Sequence, residues 1–459
     1  MTSPWLTLVG IGEDGVLAPG GRDALKCADI VYGGERHLAL AGDLSADKRT
    51  WPSPFTEVFN DLADLKSRKV AVLATGDPMW FGMGSSLVQR FDPQDMTVLP
   101  SPSAFQLAAS RMGWPLQGCE CLSVHGRPVD LLRCALYPGA RLLVLTSGSR
   151  TPQQVADLLA DEGYGRTRMT VLEHLGGEKE RRKSGSAEDW SGDVAEFHTL
   201  ALDVAADPGT RFRARVPGLS DDAFRHDGKM TKQDIRAVTL AELKPHPGAL
   251  LWDIGAGCGS IAIEWLRAAD RTRAIGLEPH VERRGMAADN ALSLGVPHLE
   301  LLDATAPEGL NGLASPDAVF IGGGLTAPGI IETSLDALHA GGRLAANAVT
   351  LESEAVLLSA FEKHGGSLKK LSIHHASPVG GLTGTCGRRI RVTRFCPPAP
   401  HFDARGVARY EIQSGVQKTL EETADDGIQQ QHQKLSLGGG GATLLPGRAP
   451  RGRQQHRQP

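Results

Sequence analysis

The sequence predicts an α/β protein of two units with mostly parallel sheets, and three observations predict it. First, short apolar runs that end in glycine turns alternate with helical patterns from residue 6 to about 206, the arrangement of repeated βαβ crossovers. Second, the pattern fails over 207–226, where Asp207-Pro208-Gly209 leads into Arg211, Arg213, Arg215, Pro217 and Gly218, and it resumes beyond as a second alternating series. Third, a chain of 459 residues is too long for one ordinary core. The expected division is a first unit at 1–206, a linker at 207–226, a second unit at 227–396 and a low-complexity tail at 397–459.

In the first unit, Leu6-Thr7-Leu8-Val9 runs into Gly10-Ile11-Gly12, the run 28–32 ends in Gly33-Gly34, and the run 69–74 ends in Thr75-Gly76-Asp77-Pro78. The stretch 55–66 reads as a helix between the second and third of these. Strands joined through such helices lie parallel.

The second unit opens with Met230-Thr231-Lys232 and a helix to about Leu243. Thr231 stands where an N-cap belongs, with Asp234 three residues on. The apolar run 250–254 carries Asp253 and passes through Gly255, Ala256, Gly257, Cys258 and Gly259 into the helical run 261–268. Glycines at alternate positions let the backbone approach a ligand closely, and the first-turn N–H groups of the helix are free to meet an anion. The run 273–277 is the next strand and ends at Glu278; 298–308 is a strand and turn containing Thr305 and Ala306. Two more strands end in Gly322-Gly323-Gly324 and in Asn347 and Thr350. In an open α/β sheet, ligands gather at the carboxyl ends of the strands, and all of these groups sit there. A glycine turn without a ligand is the alternative for the loop alone, and the spacing departs from the G-x-G-x-x-G of dinucleotide sites, because Gly259 comes one residue early.

The series Asp253-x-Gly255-x-Gly257-x-Gly259 with Glu278 resembles the cofactor motif of class I S-adenosylmethionine (SAM) methyltransferases. The run 227–384, including Asp317-Ala318-Val319-Phe320-Ile321-Gly322-Gly323 and Asn347-Ala348-Val349-Thr350, resembles the decarboxylating precorrin methyltransferases of cobalamin biosynthesis. That resemblance implies a Rossmann-like fold in which Thr231 touches SAM, Glu278 accepts the ribose hydroxyls, Thr305 and Ala306 lie near the adenine, and Gly322 to Gly324, Asn347 and Thr350 mark where substrate approaches. The first unit resembles the tetrapyrrole methylases (class III SAM methyltransferases). It does so through Val9-Gly10-Ile11-Gly12, Thr75-Gly76-Asp77-Pro78, Pro102-Ser103-Ala104, Ser123-Val124-His125-Gly126-Arg127 and Val171-Leu172-Glu173-His174. It implies a two-lobed fold that folds SAM between its lobes, contacted by Gly76, Asp77 and Pro78. His125 and Arg127 read either as catalytic groups or as a loop histidine and a partner for substrate carboxylates. The fusion of the two halves implies a bifunctional enzyme that methylates a reduced, carboxylated tetrapyrrole twice: at C5 by the first unit, and at C15, with decarboxylation of the C12 acetate, by the second. Arg127, Arg236 and Arg343 are the expected forks for its carboxylates.

The composition is compatible with this. A net charge of −4 and 41% hydrophobic residues describe a water-soluble globular protein with no footprint for nucleic acid. No apolar run of membrane-spanning length and no leader pattern is present, so a cytoplasmic protein with no membrane contact is expected. The seven scattered cysteines suit reduced structural thiols, and no metal is expected. A homo-oligomer is expected from the second unit's relatives. The rivals are a SAM-dependent RNA methyltransferase, an NAD-linked dehydrogenase and a SAM-binding protein without turnover. The Gln-, Gly- and Arg-rich tail cannot bury enough apolar surface to offset its ordering entropy, so disorder is expected there, after one edge strand at about 390–395; an interaction tail is the other reading.

Overall fold

The computed structural model describes residues 4–374 continuously and, beyond them, the strands at 377–379, 382–384, 390–396, 401–402 and 408–409. The tail after 409 lies outside the described residues, and with it most of the stretch expected to be disordered.

Three sheets follow one another along the chain. The first contains β1 (Leu6–Ile11), β2 (Ile30–Tyr32), β3 (Asp47–Arg49), β4 (Val70–Thr75) and β5 (Met96–Leu99) in the order β3-β2-β4-β1-β5, with every pairing parallel. The second contains β6 (Glu120–Ser123), β7 (Arg141–Leu145), β8 (Arg168–Glu173), β9 (Arg181–Ser186) and β10 (His198–Asp203) in the order β6-β7-β10-β8-β9. Only β6 and β7 pair in parallel there; the others are antiparallel. The two sheets form the two expected lobes.

The third sheet is built from β11 (Leu250–Ile254), β12 (Arg273–Leu277), β13 (Glu300–Leu302), β14 (Ala318–Ile321), β15 (Arg343–Ala348) and β16 (Ser367–Ile373). After β17 (Ser377–Val379) and β18 (Leu382–Gly384), which pair with each other, the chain returns as β19 (Ile390–Cys396). The order is β13-β12-β11-β14-β15-β19-β16. The expected edge strand is therefore interior: β19 lies antiparallel between β15 and β16. The strand was expected, but its neighbours were not, because strand order depends on which open edge the returning chain meets.

All five residues of β11 are buried, which is why it reads as a continuous apolar run rather than an alternating one. Leu251 packs with Phe320, Leu240 and Ile261 on one face, while Trp252 and Ile254 pack with Ile321, Ile331 and Leu357 on the other. The alternation of the pleat thus separates two helical layers.

The expected linker is only partly one. Leu219 and Phe224 belong to the second unit's core, and the N–H groups of Gly218 and Leu219 donate to Glu264 at 2.6 and 3.0 Å. The same carboxylate accepts from Arg236, which is fully buried. Arg236 also donates to Asp221 at 3.2 Å, to the Thr231 carbonyl at 2.6 Å and to the Leu219 carbonyl. Arg236 is therefore an internal strut and not a fork for substrate. It sits one helical turn and a half beyond Thr231, on the inward face of the helix Gln233–Leu243. Thr231 does not cap that helix either: Lys232 is the N-cap, with no side-chain hydrogen bond, and this leaves the Thr231 side chain for the cavity described next.

Candidate active sites

The turn after β11 shapes the larger site. Gly255 has φ 73°, and a Cβ on it would come within 2.7 Å of the Gly323 backbone; only glycine allows the loops after β11 and β14 to touch. Gly259, at φ 79°, faces away from the ligand side, toward Ala287 and Ile263, so the third glycine lets two helices approach. Over Gly257, a Cβ would meet nothing closer than the Lys229 carbonyl at 3.7 Å, and the loop is open there. The chain then enters the helix Ser260–Ala268.

A cavity of about 380 Å³ stands on this loop. It brings together Thr231, Asp253, Gly255, Ala256, Gly257, Cys258, Gly322 and Asn347, eight of the residues expected to meet cofactor or substrate. Glu278 lies directly behind it: one carboxylate oxygen accepts from the Gly257 N–H at 2.8 Å and the other from the His280 N–H at 3.1 Å. Asn347 donates to the Thr239 hydroxyl at 3.1 Å, which orients its amide. Gly323 and Gly324, Thr305 and Ala306 do not line the cavity. Thr350 is exposed and caps the helix Leu351–His364 by accepting from the Ser353 N–H at 3.3 Å. Arg343 begins β15, at the opposite end of the strand from Asn347, and donates to the Glu242 carbonyl at 3.4 Å. The cations that do line the cavity are Lys229 and Lys232; sequence reasoning missed them, although they flank the Met230-Thr231 pair it singled out.

Asp253 is 1% exposed. One oxygen accepts from the Ala262 N–H at 3.0 Å, and the other is buried without a partner. Burial pushes its carboxyl up to about 7, the nearby Glu278 charge adds to the effect, and the Ala262 hydrogen bond opposes it. An unpartnered buried acceptor beside a main-chain cradle invites a donor from a ligand. Burial also raises the Cys258 thiol, so it serves as an apolar wall and not as a thiolate.

The first unit has a tighter site. Gly76, at φ 62°, abuts Ser103 and Pro102, and Asp77 accepts from the Met79 N–H at 2.8 Å. Gly76 lines a crevice of about 30 Å³ between the lobes, with Gly12, Thr75 and Thr199; Asp77 and Pro78 stand outside its lining. Behind it runs a network that the sequence did not disclose. Glu13 accepts from Arg36 and pairs with His174 Nδ1 at 3.0 Å. The Thr75 hydroxyl meets Arg36 at 2.9 Å and His37 at 2.7 Å. Burial first, and Arg36 second, pull the His37 imidazole down to about 4, so it is neutral at physiological pH. His125 is a loop residue held through Nδ1 to the Thr146 carbonyl at 3.0 Å.

A glycine cradle at the carboxyl end of β11, an acid at the end of β12 and a buried acid beneath the loop define a SAM-dependent methyltransferase, here joined to a two-lobed unit. Comparison with known proteins agrees. A model of the precorrin methyltransferase domain matches residues 222–396, and one of the tetrapyrrole (corrin/porphyrin) methylases matches 6–190. A precorrin-6Y C(5,15)-methyltransferase [decarboxylating] from Sinorhizobium sp is 46% identical over 388 residues, covering 84% of this chain and 94% of that one. A relative of the same name from Mycobacterium tuberculosis is 40% identical over 387 residues, covering 83% of this chain and 96% of that one. The solved C-terminal domain of precorrin-6Y C5,15-methyltransferase from Rhodobacter capsulatus is 40% identical and covers 40% of this chain and 100% of its own, at a TM-score of 0.38. The chain belongs to the precorrin-6Y C5,15-methyltransferase (decarboxylating) family. It is an enzyme of cobalamin biosynthesis with methyltransferase and decarboxylase activity, and its methyl donor is SAM. Among the described residues, no helix is long and apolar enough to cross a membrane.

Proposed function

We propose that the unit at 227–396 methylates C15 of precorrin-6B and removes carbon dioxide from its C12 acetate, leaving a methyl group there, and that the unit at 1–206 methylates C5, giving precorrin-8X. The observation that carries the reading is the 380 Å³ cavity over the Gly255–Gly259 loop. Support for two separable reactions comes from single-activity relatives. A cobalt-precorrin-7 C(5)-methyltransferase from Salmonella typhimurium is 29% identical over 178 residues. A probable cobalt-precorrin-6B C(15)-methyltransferase (decarboxylating) from Saccharolobus solfataricus is 35% identical over 156.

When bound, SAM supplies a methyl group already activated by its sulfonium. The chain's part is to hold and align, and alignment alone contributes about 7–11 kcal/mol in favourable intramolecular cases. In the second unit, Gly255, Ala256, Gly257 and Cys258 hold the donor by main chain, Asp253 and Thr231 receive its polar groups, and Glu278 turns from the Gly257 N–H toward the ribose. Thr305 and Ala306 bound the adenine side, and Gly259 keeps the helix close. Lys229 and Lys232, the latter also 3.7 Å from Asp221, pair with substrate carboxylates, and Gly322, Gly323, Gly324, Asn347 and Thr350 mark the substrate's approach, with the buried Phe320 as an apolar wall. The conjugated imine of the macrocycle accepts the electrons left by the departing carboxylate. In the first unit, Gly76, Asp77 and Pro78 hold the donor. The enzyme is further read as cytoplasmic and as a homo-oligomer, and light scattering of the purified chain checks the assembly.

Mass spectrometry of anaerobic reactions with precorrin-6B and SAM tests the division. The full chain gains two methyl groups and loses carbon dioxide. Gly255→Val should abolish C15 methylation and decarboxylation together, whereas Gly76→Val should retain both and lose only C5 methylation. Loss of decarboxylation in the Gly76 variant with C5 methylation intact would reverse the assignment.

A further inference from the structure

A second, larger cavity of about 910 Å³ lies between the two units, and neither active site described above includes it. Its walls come from three parts of the chain. The first unit gives Arg127, in the loop after β6, and Phe81; the connecting segment gives Arg215; the second unit gives Arg271, Arg273 and His298. Arg273 begins β12, so the second unit presents the amino-end rim of its sheet, opposite the cradle at the carboxyl end. The cavity cannot therefore serve the second unit's own site.

It shares no lining residue with the crevice of the first unit but adjoins the turn that forms it. Phe81 follows the Gly76-Asp77-Pro78 turn by three residues, and both Phe81 and Trp80 pack on Phe105, with ring centroids 5.7 and 5.3 Å away. Phe105 lies two residues after Ser103, against which Gly76 is seated. The charge in the cavity is one-sided. Arg215 is matched by Asp270 at 2.6 Å, but among the described residues no carboxylate pairs with the exposed Arg127, Arg271 and Arg273. Glu120 is the remaining acid there, and burial raises its carboxyl toward the neutral form. The joint itself is firm. Arg267, 1% exposed, donates to the carbonyls of Arg213 and Ala214 at 3.0 and 3.4 Å and to the Leu294 carbonyl, and the Cys134 thiol donates to the Gly295 carbonyl at 3.3 Å.

We propose that this cavity is a carboxylate-binding extension of the first unit's substrate site, in which arginines of the second unit and of the first hold the acid side chains of a polycarboxylated macrocycle. The fusion then does more than tether two enzymes: the second unit supplies one wall of the site at which the first methylates. The proposal rests on the reading of the first unit as a tetrapyrrole methylase.

The test uses the full chain and uroporphyrin, a fluorescent polycarboxylated porphyrin, followed by quenching titration. Arg271→Glu with Arg273→Glu, and separately Arg127→Glu from the facing wall, should each weaken uroporphyrin binding by about tenfold or more, as expected for losing a charge-assisted hydrogen bond. Arg211→Glu changes the same charge outside the cavity and should leave the affinity within about twofold. Unchanged affinity in the cavity variants, or equal weakening in Arg211→Glu, overturns the site whether or not the enzyme turns over precorrin. In steady-state assays of the C5 step, the cavity variants should raise KM about tenfold with kcat held. Weakened uroporphyrin binding with an unaltered C5 KM overturns its assignment to the first unit's reaction, and absence of any C5 methylation by the unmodified chain counts against the functional reading alone.

Discussion

Replacing Glu264 by Gln would test whether the interior strut sets the larger site. The carboxylate is 1% exposed and receives Arg236, which has no solvent access, together with the N–H groups of Gly218 and Leu219. The amide would keep an acceptor and much of the volume while leaving a buried guanidinium short of its main counter-charge. Breaking a buried pair from one side costs about 3–5 kcal/mol. Asp221, 3.2 Å from Arg236 and 31% exposed, still offsets part of that, which favours the lower end. For a unit of this size each kcal/mol moves Tm by about 2–4 °C, so roughly 6–12 °C is expected at 3 kcal/mol. Because Arg236 also holds the Thr231 carbonyl at 2.6 Å, the Lys229–Lys232 wall should loosen and SAM affinity should fall with stability. Thermal melting by circular dichroism, followed by calorimetric SAM titration well below Tm, measures both. Glu264→Gln with Arg236→Met should recover most of the lost Tm, since removing both charges is far less costly than removing one. A Tm within 2 °C of the parent (about 1 kcal/mol or less) in the single variant would refute the account of the strut.

Two further outcomes follow from the buried groups. The Asp253 carboxyl titrates near 7 in the folded chain and near 3.9 when unfolded, so the native state binds the extra proton between these values. This group's contribution to stability therefore declines as pH rises from about 4 to about 7 and is level above. Asp253→Asn should flatten that decline, and urea midpoints compared at pH 4.5 and pH 8 would show it; an undiminished slope in the variant would assign the effect to other groups. Arg267→Met removes the donors to the Arg213, Ala214 and Leu294 carbonyls, and limited proteolysis should then cut the 207–217 segment at least several-fold faster, whereas an unchanged digestion pattern would mean that other contacts hold the joint.

Much of the second unit was legible because its signals are local. The continuous apolar run of β11, the glycine spacing and the acid after β12 each express a backbone requirement within a few residues. What escaped was whatever depends on distant partners. Arg236 reads as a free cation on a helix until Glu264, 28 residues on, takes it inside. Arg343 reads as a strand-end fork until the direction of β15 puts it at the wrong end. The Glu13–Arg36–His174 network joins residues up to 161 apart and leaves no periodic trace. Thr350 lay in a matching motif, but a threonine before a helix satisfies capping and ligand patterns equally. Lys229 and Lys232 flank Met230-Thr231 in the sequence, but that they line the cavity depends on how this segment packs beside the distant Gly255–Gly259 loop.

The interior position of β19 carries a consequence for biosynthesis. A ribosome delivers β11 to β15 in order, yet the strand that seals β15 to β16 emerges only after both. Until then β15 presents an unpaired edge, the kind of surface on which nascent chains associate. The first unit is complete long before, and during that interval it is the part able to fold as synthesis proceeds, so chain shortening or frame errors within residues 390–396 would separate β16 from the rest of the second unit's sheet and leave β15 as its open edge, while sparing the first unit.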